Sequence, residues 1–168
     1  WQKNGERKKP WPLGIWPIDK ILCNKFQEYG LGAGELGLFL GPPGRGKSAA
    51  LVYAGAQALL SGAKLVVHFS LEMSEDRVAG RYDLAIFGVS KSDLLRDPAC
   101  VLDKTQRPFR IFEAHGSQLA ISTHNAHEAT VGDLRRVLKQ IQAKIGSVAL
   151  VLVDYGELLR PEQANVRN

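Results

Sequence analysis

One octapeptide constrains this chain more than any other feature in it. Gly41-Pro42-Pro43-Gly44-Arg45-Gly46-Lys47-Ser48 fits the pattern G-x-x-x-x-G-K-[S/T]. It stands between a short apolar run, Leu36-Gly37-Leu38-Phe39-Leu40, and an alanine- and leucine-rich stretch, Lys47 to Leu60, with Gly62 just past its end. The run reads as a buried strand and the stretch as a helix. Strand, glycine-rich turn and helix form the context in which such a loop holds phosphate. Glycines let the loop curl so that successive N–H groups face one centre. Lys47 offers a point charge to β- and γ-phosphates, and Ser48 offers a hydroxyl ligand to Mg²⁺. The start of the helix adds the positive end of its dipole. Gly41 through Ser48 are therefore the candidate nucleotide-binding residues.

The remainder of the chain alternates strand and helix. Ile15 to Leu22 reads as a short helix, with Pro17 near its start and Asp19 in its first turn. Lys64 to Ser70 is rich in β-branched and aromatic residues and reads as a second buried strand. Residues 75–87 read as a helix. Ser90 with Asp93 has capping-box spacing, which starts another short one. Phe109-Arg110-Ile111-Phe112 is expected to be a third, shorter strand. Thr130 with Asp133 is again a capping box. It is followed by Leu134, Val137, Leu138, Ile141 and Ile145 at helical period, and Gly146 ends that helix. Val148 to Val153 is uninterrupted apolar sequence, expected to be a fully buried strand, and Asp154 follows it. This order predicts an α/β fold, a mostly parallel sheet with helices on both faces. Ligands of such sheets bind outside the carboxyl ends of the strands.

Composition sets the outer bounds. The chain has 168 residues, 45% hydrophobic and 23% charged, with a net charge of +5. That excludes collagen, a coiled coil, a disulfide scaffold and a disordered chain. Residues 1–12 carry Lys3, Arg7, Lys8 and Lys9 with Pro10 and Pro12, and read as a basic arm or linker ahead of a domain at 13–168. Cys23 and Cys100 lie far apart in no metal-like or redox-like spacing, so free thiols in a reducing compartment are expected. No apolar run approaches the ~20 residues that span a bilayer, and the first residues are polar, without the hydrophobic region of a signal peptide. A cytoplasmic protein without membrane contact is the expectation.

A phosphate loop needs a second carboxylate to hold the Mg²⁺ water shell, usually at the end of a buried strand. Asp154 has that position. Hydrolysis also needs a group that orients the attacking water. Glu72, in Ser70-Leu71-Glu72-Met73, and Glu157 both follow strand ends, and spacing alone leaves both open. Other features carry less. His124 and His127, with His115 nearby, have zinc-like spacing but no cysteine close by. Trp1, Trp11 and Trp16 read as packing residues rather than base-stacking ones. Arg135, Arg136 and Lys139 read as the wet face of an amphipathic helix. Ser70, Ser117 and Ser122 have no histidine–aspartate partners for nucleophilic catalysis.

Gly34-Glu35-Leu36 leading into the phosphate loop, then Ser70-Leu71-Glu72-Met73, then Val153-Asp154-Tyr155 resemble the RecA-like ATPase domain of DnaB-type replicative helicases. The lead-in Leu13-Gly14-Ile15-Trp16-Pro17-Ile18-Asp19 is similar to that family's approach to the phosphate-loop strand, and Arg81 matches a family arginine. The resemblance implies a RecA-like P-loop NTPase fold over residues 13–168. It implies ATP and Mg²⁺ as cofactors, Glu72 and Lys47 as catalytic residues, and Ser48 and Asp154 as metal ligands. It thereby prefers Glu72 to Glu157. There are departures. Asp154-Tyr155-Gly156-Glu157-Leu158 differs from the usual family continuation and points to a divergent branch. Residues 116–128 look like an insertion. In RecA-like domains a sensor strand lies between the phosphate-loop strand and the aspartate strand, and DNA-contacting loops and an arginine finger follow. None is found here, so a C-terminally incomplete domain is expected.

The implied function is the motor of a ring-shaped, hexameric DNA helicase moving on single-stranded DNA. A RecA- or KaiC-like ATPase of recombination or regulation shares the same motifs. A non-catalytic ATP-dependent switch or loader is a further alternative, and a P-loop kinase ranks last.

Overall fold

The computed structural model describes residues 9–24 and 27–161. Trp1 and the arm charges Lys3, Arg7 and Lys8 lie outside the described residues. The elements are α1 (Trp16–Ile21), α2 (Lys47–Leu60), β1 (Leu65–Ser70), α3 (Glu75–Phe87), α4 (Lys91–Arg96), α5 (Pro98–His115), β2 (Gln118–Thr123), α6 (Val131–Ile145) and β3 (Leu150–Asp154). A single 3-10 turn, Gly156–Leu158, follows. The strands form a parallel sheet of order β2-β1-β3.

β1 is central and buried along its whole length, and it is rich in β-branched and aromatic residues. Alternate residues serve the two faces. Val66 joins Val52, Ala56 and Leu59 of α2 and Val78 and Tyr82 of α3. Leu65, Val67 and Phe69 pack with Leu134, Val137, Leu138 and Ile141 of α6. Helices therefore cover both faces, the α/β architecture expected from the alternation. Both expected capping boxes form. Ser90 accepts the Asp93 N–H and Thr130 accepts the Asp133 N–H, with each aspartate returning to the cap residue's own N–H. Thr130's hydrogen bonds hold the Asp133 carboxyl down at about 2, with Arg136 assisting.

Four expectations need correction. Leu36 to Leu40 forms no strand and pairs with none among the described residues, and Leu36, Leu38 and Leu40 are 94%, 76% and 81% exposed. β3 is an open edge of the sheet among the described residues, and this run adds no ladder to it. The same open edge leaves Val151 of β3 partly exposed, where a fully buried strand was expected. Phe109 to Phe112 is helix, part of α5, with both phenylalanines against Phe87. Residues 116–128 are no mere insertion, because they contain β2, paired to β1 from Leu65↔Gln118 to Ser70↔Thr123.

The lead-in docks on α2. Asp19 is buried, and its carboxylate accepts the N–H of Leu13 at 2.7 Å and of Gly14 at 2.9 Å. Gly14 has φ +78° and lies against Tyr53 and Gln57 of α2, where a larger residue has no room.

The core holds a buried polar pair. His68 Nδ1 and the Tyr82 hydroxyl share a hydrogen bond of 3.0 Å, and neither side chain reaches solvent. Burial lowers the His68 pKa from 6.5 to about 4. Between those values the unfolded chain takes up a proton that the folded chain refuses, so stability falls as pH drops through that window. At ~1.4 kcal/mol per pH unit the loss approaches about 3 kcal/mol. Denaturant titrations at stepped pH should show it, and His68→Gln should flatten the slope. Equal slopes in both proteins would mean that His68 titrates normally in the fold.

Candidate nucleotide site

β1 and β3 end level, with Ser70 opposite Asp154. At that edge the start of α2 meets the sheet. Ser48, the second residue of α2, donates its hydroxyl to Asp154 Oδ1 at 3.1 Å across 106 residues of sequence. Asp154 is fully buried, and its Oδ2 has no hydrogen-bond partner among the described residues. A buried carboxylate oxygen left unpaired is costly. A hydroxyl and a carboxylate side by side are hard oxygen donors, the set that suits Mg²⁺. The residues fit the metal.

The loop ahead of α2 is open. Gly44 and Gly46 take φ +73° and +84°, which reverse the chain without steric cost. Space beside both is clear, and the amides of Gly44, Arg45 and Gly46 meet no acceptor among the described residues. Lys47 lies across the loop, its ammonium donating to the carbonyl of Gly41 at 2.6 Å and of Pro42 at 3.2 Å. It also sits 6.0 Å from the Tyr155 ring centroid. Unpaired amides, a helix start and a lysine folded over the same loop fit a polyphosphate.

Glu72 stands in the turn after β1, exposed between the buried Leu71 and Met73. Leu71 N–H donates to the Asp154 carbonyl at 2.7 Å, which ties that turn to the end of β3. Glu157 is also exposed, in the 3-10 turn beyond Asp154. The structure thus brings Lys47, Ser48 and Asp154 together and sets both glutamates on adjoining strand ends. Arg81 is exposed on α3. Tyr82 lies close enough for the Asp154 charge to matter. Burial first, then that carboxylate, raises the phenol's pKa, so its O–H stays neutral.

The histidines of the zinc-like spacing do different things. His124 Nε2 pairs with the Ser122 hydroxyl at 3.0 Å and its ring lies 5.9 Å from that of Phe69. His127 is exposed and bonds Leu158 O through its backbone. Among the described residues no group of three metal-ligating side chains is found, and no helix is long and apolar enough to cross a membrane.

Sequence reasoning missed the roles of three supporting residues. Asp19 staples the lead-in, Tyr82 backs the aspartate, and Ser70 closes the Glu72 turn. Only Ser70 left a local signal, a hydroxyl at a strand end three residues before a buried side chain.

A parallel sheet flanked by helices, with an open glycine loop leading a helix onto a buried strand-end aspartate, defines a P-loop nucleotide-binding α/β protein. The model of the DnaB-like helicase C-terminal domain matches residues 24–168, and the chain belongs to that family, whose fold is RecA-like and whose members are helicase-type P-loop ATPases. The lead-in at Leu13 to Asp19 precedes the matched residues. No curated protein matches the chain.

Proposed function

We propose that residues 13–168 form the ATP-hydrolysing motor domain of a ring-shaped, hexameric DnaB-like helicase that moves on single-stranded DNA in the cytoplasm, with residues 1–12 as its arm. The observation that carries this reading is the hydrogen bond from Ser48 to Asp154, which joins the two motifs that a helicase-type ATPase needs at one point. In this reading Gly41, Pro42, Pro43, Gly44, Arg45 and Gly46 wrap the phosphates with their backbone. Lys47 neutralises the β- and γ-oxygens. Ser48 and Asp154 hold Mg²⁺, which when bound offsets phosphate charge as the terminal group leaves. Glu72 accepts the proton of the attacking water and holds that water in line.

The test is ATP hydrolysis by the intact protein with and without single-stranded DNA, across a salt series. Turnover should rise with DNA, and the rise should fade as salt increases, because DNA phosphates neutralised by Lys and Arg regain their counterions. Hydrolysis indifferent to DNA would replace the motor with a regulatory ATPase. Binding without hydrolysis would leave a nucleotide switch.

A further inference from the structure

We propose that Ser70 is a positioning residue for Glu72, its hydroxyl locking the turn that carries Glu72 at the end of β1; this rests on Glu72 being the water-activating group. Ser70 is fully buried. Its Oγ accepts the Met73 N–H at 3.0 Å and donates to the Met73 carbonyl at 2.8 Å. One hydroxyl therefore closes the turn Ser70–Met73 through both polar groups of a single peptide residue.

The rest of the turn is anchored by burial and by backbone bonds. Leu71 and Met73 are buried on either side of it. The backbone is held from both neighbouring strands, with Leu71 N–H on the Asp154 carbonyl at 2.7 Å and His124 N–H on the Ser70 carbonyl at 2.9 Å. α3 begins directly after the turn, and its N-cap, Ser74, makes no side-chain capping bond. Nothing at the helix start therefore substitutes for Ser70. Alanine would fill much of the same space, but it offers neither bond. Met73's N–H and carbonyl would then lie unpaired beneath a buried side chain, and the turn would relax to satisfy them. Glu72 is the exposed residue at its centre, so its carboxylate takes up the displacement.

A shift of ~1 Å in a positioned group costs ~10²-fold in rate. Ser70→Ala in the intact protein should lower the kcat of ATP hydrolysis by ~10- to 100-fold, with ATP affinity held within about twofold. Ser70→Thr, which keeps the hydroxyl, should restore most of the rate. In a Glu72→Gln background, Ser70→Ala should cost nothing further, since a residue that acts through Glu72 has nothing left to position. Normal turnover of Ser70→Ala beside a dead Glu72→Gln would overturn the role of Ser70 and leave Glu72 standing. Normal turnover of Glu72→Gln would remove the catalytic reading itself, and Ser70's role with it. Additive losses in the double variant would also overturn the proposal. If alanine unfolds the chain, Ser70→Cys against Ser70→Thr decides. A slow cysteine and a fast threonine support the lock, and equal rates refute it.

Discussion

Lys47→Ala should abolish productive ATP binding in the intact protein while leaving the fold in place. The ammonium is the one side-chain cation folded over the phosphate loop among the described contacts, and it now bonds only the carbonyls of Gly41 and Pro42 at an exposed surface. Those bonds are solvated, so their loss costs the fold little. Toward polyphosphate the balance differs. A hydrogen bond to a charged group is worth ~1.5–3 kcal/mol, and the lysine would meet both β- and γ-oxygens, so affinity should fall by ~100-fold or more. Calorimetry with ATP and Mg²⁺ measures this directly, with thermal melting as the control. Equal affinity in variant and wild type would take the phosphate role away from the loop.

What the sequence made legible were features whose physics is local. The phosphate loop is a run of glycines before a lysine and a helix. The capping boxes at Ser90 and Thr130 are spacings of three residues. β1 is a short run rich in β-branched and aromatic residues, and α6 a stripe at helical period. The helix after the loop, both capping boxes, β1 and α6 form where their residues predict. The errors fall where a neighbour decides. Phe109 to Phe112 is too short for its period to separate strand from helix, and Pro108 just before it argues against a helix interior. Yet α5 runs through both, since Phe109 and Phe112 share the face that meets Phe87. β2 was hidden for the opposite reason. Gln118, Ser122 and Thr123 dilute its apolar core, and only pairing with β1 makes it a strand. Leu36 to Leu40 has strand composition without a strand partner. Burial belongs to the pair, not to the run.

The site divides in the same way. Lys47, Ser48 and Asp154 were readable as motif positions, and a hydrogen bond joins Ser48 to Asp154. The residues that support them were not. Tyr82 sits mid-helix in a sequence that gives no hint of the His68 ring or the Asp154 charge it meets. Asp19 looks like an ordinary first-turn acid, whereas it reaches back to cap Leu13 and Gly14. Such roles depend on where the chain returns, and local spacing does not record that.

Glu72→Gln should leave ATP binding intact and lower turnover by ~10²–10⁴-fold, the range expected when a positioned general base is lost. Glutamine keeps the size and the hydrogen-bonding reach of the side chain but has no charge with which to take a proton from water. The structure gives this carboxylate a rigid mount. Leu71 and Met73 are sunk on either side, Ser70 locks the turn, and Leu71 N–H holds it to the Asp154 carbonyl. Because the side chain is exposed, the substitution disturbs no packing, and melting should not change. Glu157→Gln is the matched control. Glu157 follows the same aspartate, but it rides on the short turn Gly156–Leu158 beyond Tyr155, where the bond from His127 N–H to Leu158 O fixes the turn's end rather than the glutamate. Its replacement should change turnover little. Steady-state hydrolysis and ATP affinity, measured for both variants in the intact protein, separate the two. If Glu157→Gln is the inactive one and Glu72→Gln turns over normally, the base belongs beside Asp154 rather than at the end of β1. The chain would then be a P-loop ATPase whose water is activated from β3, and the turn Ser70–Met73 would serve only to join β1 to α3.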